Sequence, residues 1–332
     1  MRHFLLVCSI VGLFVSCGTT PPAGEGPLTL YSGRNERLIG PLLVRFTAET
    51  GIDVETRYGG TSELTATLLE EGEYSPADLF LAQDAAALGA LSKAGRFLPL
   101  PESVLQRVDA RYRSVRSDWV GLSGRARVIV YNTDLIAAED LPTTLLATTD
   151  PRYRGRFGIA PTNASLQAHL ALFTALDGEE ALDALLAGLV ANEPQRYEKN
   201  SAIVQAVIDG EVEWGLVNHY YLLNALREQP DATAANYFLT GGGSASFVNL
   251  AGIGVLSDDP RAVELVRWLL GESAQQYFAD ETFEFPLVAG VDADPSLPPL
   301  SALETPDVDF ATVADRLEST LMRIDEAGLN RF

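Results

Sequence analysis

The chain has 332 residues, 47% hydrophobic and 21% charged, which is enough apolar material for one large or two ordinary globular domains. A formal net charge of −21 excludes proteins that grip nucleic acid through clustered Lys and Arg, and reads as a well-solvated surface. Only two cysteines and three histidines are present, so thiolate metal sites, His-rich zinc sites and cysteine nucleophiles are not expected in the folded part.

The first elements concern export. Basic Arg2 is followed by an apolar run from Phe4 to Val15, the length of a secretory h-region and too short to span a bilayer. It ends at Ser16-Cys17-Gly18, which resembles a bacterial lipobox. The expectation is a signal peptide over 1–16, a lipid on Cys17 and a flexible Pro/Gly-rich tether over 17–27. The chain would then be exported to a periplasm or an outer cell surface, held to the membrane by lipid only. Cys8 leaves with the leader, so the mature domain carries no free thiol.

From residue 28 strand and helix patterns alternate. Short apolar runs predict strands over 28–31, 53–57, 78–81 and 127–131, and helical spacing predicts helices over 38–50, 62–71 and 84–94. The rhythm restarts with a strand over 156–159 and helices over 165–176, 179–190 and 203–209. A strand over 214–217, a helix over 220–228, a strand over 252–256 and helices over 260–270 and 308–327 complete the chain. The opening βαβαβ order implies a parallel sheet covered on both faces, and two such units imply two α/β lobes with a cleft between them. Ligands in such sheets bind beyond the carboxyl ends of the strands.

Three segments fall there. Asn218-His219-Tyr220-Tyr221 follows a strand and opens a helix. Phenols ionise near pH 10 and are poor acids or bases at neutrality, but their anions suit hard ions such as Fe³⁺. The same pair also fits one packed and one exposed tyrosine. Pro161 to Ser165 and Lys199-Asn200-Ser201 precede helices, where N–H groups and side-chain amides suit an oxyanion, or where they simply cap. Gly241-Gly242-Gly243-Ser244 lacks the lysine of a phosphate loop, and no hydrolase or nucleotide motif is present, so no enzyme is expected.

Taken in order, these pieces resemble the bacterial periplasmic ferric-ion-binding proteins of ABC importers. The resemblance runs from about residue 28 to about 300. It is carried by Tyr31-Ser32-Gly33-Arg34, Ser75-Pro76-Ala77-Asp78-Leu79-Phe80, Tyr131-Asn132-Thr133, Arg154-Gly155-Arg156, Ala160 to Ser165, Lys199-Asn200-Ser201, Asn218 to Tyr221 and Phe285-Pro286-Leu287-Val288. It implies a type II-like two-lobe fold with a hinge, lobe 1 from 28–127 plus about 238–300 and lobe 2 from 128–237 plus about 301–332. It implies Fe³⁺ on Tyr220 and Tyr221, with a synergistic phosphate or carbonate held by Asn163, Ala164, Ser165, Asn200 and Asn218. Delivery would be by a monomer to a membrane permease. Some members of that family supply a histidine and a glutamate where this chain has Asn35 and Gln83, which are weak neutral donors; Asp84 follows Gln83. Arg34 is expected near the cleft as an anion contact, and together these three residues motivate an alternative, a metal-free organic or phosphorus-containing anion.

Overall fold

The computed structural model describes residues 26–330. The export segment, Cys17 and most of the tether lie outside them. Among the described residues no helix is long and apolar enough to cross a membrane.

The chain builds a mixed sheet flanked by helices. The first part is β1 (Leu28–Ser32), α1 (Glu36–Thr50), β2 (Val54–Tyr58), α2 (Thr61–Glu71), β3 (Leu79–Ala82), α3 (Ala85–Lys93), α4 (Glu102–Leu105) and the long β4 (Trp119–Asn132). The second is β5 (Phe157–Ile159), α5 (Ala164–Asp177), α6 (Glu179–Ala191), β6 (Gln195–Arg196), α7 (Asn200–Ile208), β7 (Trp214–Asn218), α8 (Tyr220–Glu228) and β8 (Ala234–Tyr237). The chain then returns through β9 (Val248–Val255), α9 (Pro260–Leu269), α10 (Glu272–Thr282), β10 (Phe285–Pro286) and α11 (Phe310–Glu326).

The strand order is β2-β1-β3-β9-β4-β7-β5-β6, with β8 and β10 also on β4. β1 pairs in parallel with β2 and β3, and β5 with β6 and β7, as the βαβ rhythm requires. The sheet is nevertheless not parallel throughout. β9 runs antiparallel to both β3 and β4, and β4 runs antiparallel to β7. Direction reverses where the chain passes from one half of the sheet to the other.

β4 is the shared element. Its residues Trp119 to Ala126 pair with β9, and Arg127 to Asn132 pair with β7 and β8. The pattern-based strand over 127–131 thus captured only the second half. The first half contains Gly121, Ser123, Gly124 and Arg125, and carried no strand signal. The sheet needs a glycine at 121, because a Cβ there would stand 2.7 Å from the Tyr112 carbonyl oxygen and 2.8 Å from Leu287. Helix α10 was also missed; its sequence is mostly polar, yet Ala274, Tyr277, Phe278 and Ala279 form a buried stripe.

Local chemistry sets the other boundaries. Helix α1 buries Ile39, Leu42, Leu43 and Phe46, and stops at Gly51, whose φ of +74° is left-handed. In the second half Trp214 stacks on Phe157 at 4.4 Å and meets Tyr153 edge-on at 5.3 Å. Such pairs contribute about 0.5–1.5 kcal/mol each beyond the area they bury. Helix α11 lies against both α3 and α5. It bonds Thr320 to Thr174 at 3.0 Å and pairs Lys93 with Asp315 at 2.7 Å, so it touches both halves rather than the second alone.

Candidate functional site

The site forms where β4 crosses between the halves. Strand β7, buried along its whole length, delivers Asn218 beside Arg127 of β4. The chain then turns directly into α8, so Tyr220 and Tyr221 occupy its first two positions. A helix start presents unpaired N–H groups and favours negative charge.

The two phenol rings stack at 4.4 Å with 29° between planes, both half-buried. Burial, reinforced by Tyr220, pushes the Tyr221 hydroxyl well above the ordinary tyrosine range, while Arg125 and Arg127 act against this. Tyr221 therefore holds its phenolic proton firmly at neutral pH. Only a strongly charged cation would displace such a proton.

Arg127 is 2% exposed. Its Nη1 donates to Asn218 Oδ1 at 3.2 Å, while Nε and Nη2 have no partner. Burial lowers its pKa to about 10, and the two tyrosines oppose that. No ion pair among the described residues includes it. Neighbouring Arg125 gives Nη2 to the Gln83 carbonyl and leaves Nε unpartnered.

The expected oxyanion residues connect to Arg127 through Asn218. Asn218 Nδ2 donates to Ser165 Oγ at 3.1 Å. Asn163 caps α5, accepting from the Ser165 N–H at 3.0 Å, and receives Asn200 Nδ2 at 3.5 Å. Asn200 is fully buried and its Oδ1 has no partner. Ala164 is the exposed first residue of α5. Asn163, Ser165, Asn200, Asn218, Arg127 and the tyrosines thus form one neighbourhood.

One expectation changes. Arg34 is not available to an anion. It is 1% exposed and gives Nη1 and Nη2 to Glu284 at 2.9 and 3.0 Å, a bidentate pair that occupies its fork. Asn35 is committed as the N-cap of α1, accepting from Leu38 N–H at 3.2 Å at the surface. Gln83 gives its backbone carbonyl to Arg125. Asp84 caps α3 through the Ala87 N–H at 3.0 Å. Burial raises its carboxyl pKa against the pull of the Ala87 N–H and Arg125.

Arg125 and Arg127 were missed. The available sign was a charge inside an apolar strand, since a buried arginine without a carboxylate is costly and calls for a reason. His219 is also inside. Burial lowers its pKa to about 4, against the hydrogen bond to the Phe283 carbonyl, which favours the charged form. Among the described residues no group of three or more His, Cys, Asp or Glu could hold a metal ion.

A mixed α/β sheet in two halves, joined at a shared strand with a polar phenol-bearing site on the join, defines a two-lobed ligand-binding protein. The chain belongs to the bacterial extracellular solute-binding protein family, whose model matches residues 75–312. It is 31% identical over 323 residues to the Fe(3+)-binding periplasmic protein of Serratia marcescens, covering 96% of this chain and 95% of that one. Among solved structures it is similar to iron-bound HitA from Pseudomonas aeruginosa, with a TM-score of 0.83 and 31% identity, covering 91% of this chain and 99% of the other. It is also similar to Trichodesmium IdiA (FutA) in complex with iron and citrate, with a TM-score of 0.80 and 28% identity over 91% and 99% of the two chains.

Proposed function

We propose that this protein is the extracytoplasmic receptor of an ABC importer that captures Fe³⁺ together with an anion. Its role is binding, not catalysis. Tyr220 and Tyr221 supply two phenolate oxygens. Asn163, Ala164, Ser165, Asn200 and Asn218 line the anion subsite, and Arg127 adds the charge. Lobe 1 comprises 28–126 with the β9 to β10 return, lobe 2 runs from Arg127 through β8, and α11 bridges them. The monomer, tethered through Cys17, carries its cargo to the permease.

The observation that carries this reading is the stacked phenol pair beside a buried guanidinium with two unpartnered N–H-bearing nitrogens. Ferric ion and two phenolates leave one positive charge, and Arg127 adds another, so an anion of at least two charges balances the pocket. Each phenol gives up its proton on loading, so higher pH favours binding. The relatives named for iron support the same cargo.

The test is a visible spectrum of the purified protein titrated with ferric citrate, with and without phosphate or bicarbonate. The expected result is a broad phenolate-to-iron band that saturates at one equivalent and is absent from the Tyr220→Phe, Tyr221→Phe double variant. A flat spectrum in the wild type would sink the assignment.

A second reading is a metal-free organic or phosphorus-containing anion. It is favoured by the same open nitrogens of Arg127 and by the firmly held Tyr221 proton. It predicts a colourless protein whose melting temperature rises with the anion alone.

A further inference from the structure

The residue between the anion subsite and the phenols is a histidine whose every polar group is used. His219 is fully buried. Its backbone N–H donates to the Ala126 carbonyl at 3.0 Å, and its ring Nδ1 accepts the Ala126 N–H at 3.1 Å. On the far side of the ring, Nε2 donates to the Phe283 carbonyl at 2.7 Å. The His219 carbonyl accepts Asn236 Nδ2 at 2.8 Å. The ring also lies 4.8 Å from Phe285 and meets Tyr220 edge-on at 5.8 Å.

We propose that His219 is the positioning residue of the site, a bolt that fixes the phenol pair relative to the two site arginines and to the end of α10. Ala126 stands between Arg125 and Arg127, so the two-point bond from His219 to Ala126 sets the spacing between phenols and guanidiniums. The Nε2 bond ties the same point to Phe283, the left-handed C-cap of α10 at φ 55°, in the other half of the sheet. A second contact supports the tie, since Arg227 of α8 lies 4.1 Å over the Phe283 ring. Only a rigid ring with an acceptor on one edge and a donor on the other reaches both backbones from one position. Asparagine spans the Ala126 side and glutamine the Phe283 side. This inference deepens the ferric reading and rests on it.

The test compares ferric titrations of wild type and of His219→Gln, His219→Asn and His219→Leu, each followed by its visible band and by the melting temperature of the unloaded protein. The expected result is that His219→Leu displaces or broadens the band and weakens ferric binding by about tenfold or more, the usual loss when the support behind a metal ligand is removed. His219→Gln, which keeps the bond to Phe283, recovers part of both. If His219→Leu does not fold, the Gln and Asn variants decide, with a shifted band expected in at least one. A lower melting temperature with wild-type band and affinity in the variants makes His219 merely structural and overturns the proposal, while leaving the ferric reading in place. No band in the wild type overturns both.

Discussion

Arg34 and Glu284, 250 positions apart in sequence, form a bidentate ion pair at 2.9 and 3.0 Å with side chains only 1% and 3% exposed. Ser123 of β4 also donates to the carboxylate, and the guanidinium lies 5.6 Å from the centre of the Phe278 ring. Burial opposes ionisation of Glu284, but Arg34, Arg125 and Ser123 together hold its carboxyl below the ordinary range. The pair pins the loop after β1 to the turn after α10, next to the carbonyl that receives His219.

Removing one partner leaves an uncompensated buried charge. Arg34→Met or Glu284→Leu alone is expected to destabilise the protein by about 3–5 kcal/mol, and the double replacement to recover most of that loss. Urea denaturation of the three variants measures it. Single losses under about 1 kcal/mol would mean that water reaches the pair.

Arg127→Met is expected to separate stability from binding. The wild-type guanidinium is buried without a carboxylate, so its replacement by an apolar chain of similar length should leave the unloaded protein at least as stable. Ferric or anion affinity should fall at least tenfold, since the positive side of the anion subsite is gone. Paired melting and titration curves check this, and unchanged affinity would remove Arg127 from the site.

His169 gives an acid dependence. It is fully buried on α5, bonded through Nε2 to the Ser244 carbonyl at 2.8 Å and stacked on Phe247 at 5.4 Å. Burial, then the charge of Arg127, lowers its pKa to about 3, while the Ser244 carbonyl opposes. The unfolded chain protonates near pH 6.5. Stability from this group is therefore complete above about pH 6.5 and is lost as pH falls toward 3, by on the order of a few kcal/mol. Urea midpoints at pH 7, 5.5 and 4.5 should fall less steeply in His169→Gln than in the wild type.

Asn35→Ala should cost about 1 kcal/mol through loss of the α1 cap, and Asn35→Asp much less. Neither should change a ferric band. A displaced band in Asn35→Ala would place that side chain among the ligands despite its surface capping position.

Much of the fold was legible because its signals are local. Apolar residues at period 3.6 marked α1 and α5, short apolar runs marked β1, β3 and β7, and Gly51 marked a stop. The placement of Asn163, Ser165, Asn200 and Asn218 at strand ends and helix starts followed from the same spacing, and the structure links them in a hydrogen-bonded chain that reaches Arg127 through Asn218. The first half of β4 was hidden because its Gly121 is demanded by the Tyr112 carbonyl and by Leu287, the latter arriving from a distant part of the chain.

The sequence alone determined most of the strands and helices, the turn that sets two tyrosines at a helix start, and the resemblance that points to a ferric cargo. Tertiary structure alone decided which arginine is neutralised by a carboxylate and which is left open to a ligand. Arg34 and Arg127 both lie beside motifs of interest, and composition cannot rank them. The partner of a buried charge is chosen by packing across the sheet, so Glu284 silences Arg34 from 250 residues away, while among the described residues no carboxylate pairs with Arg127.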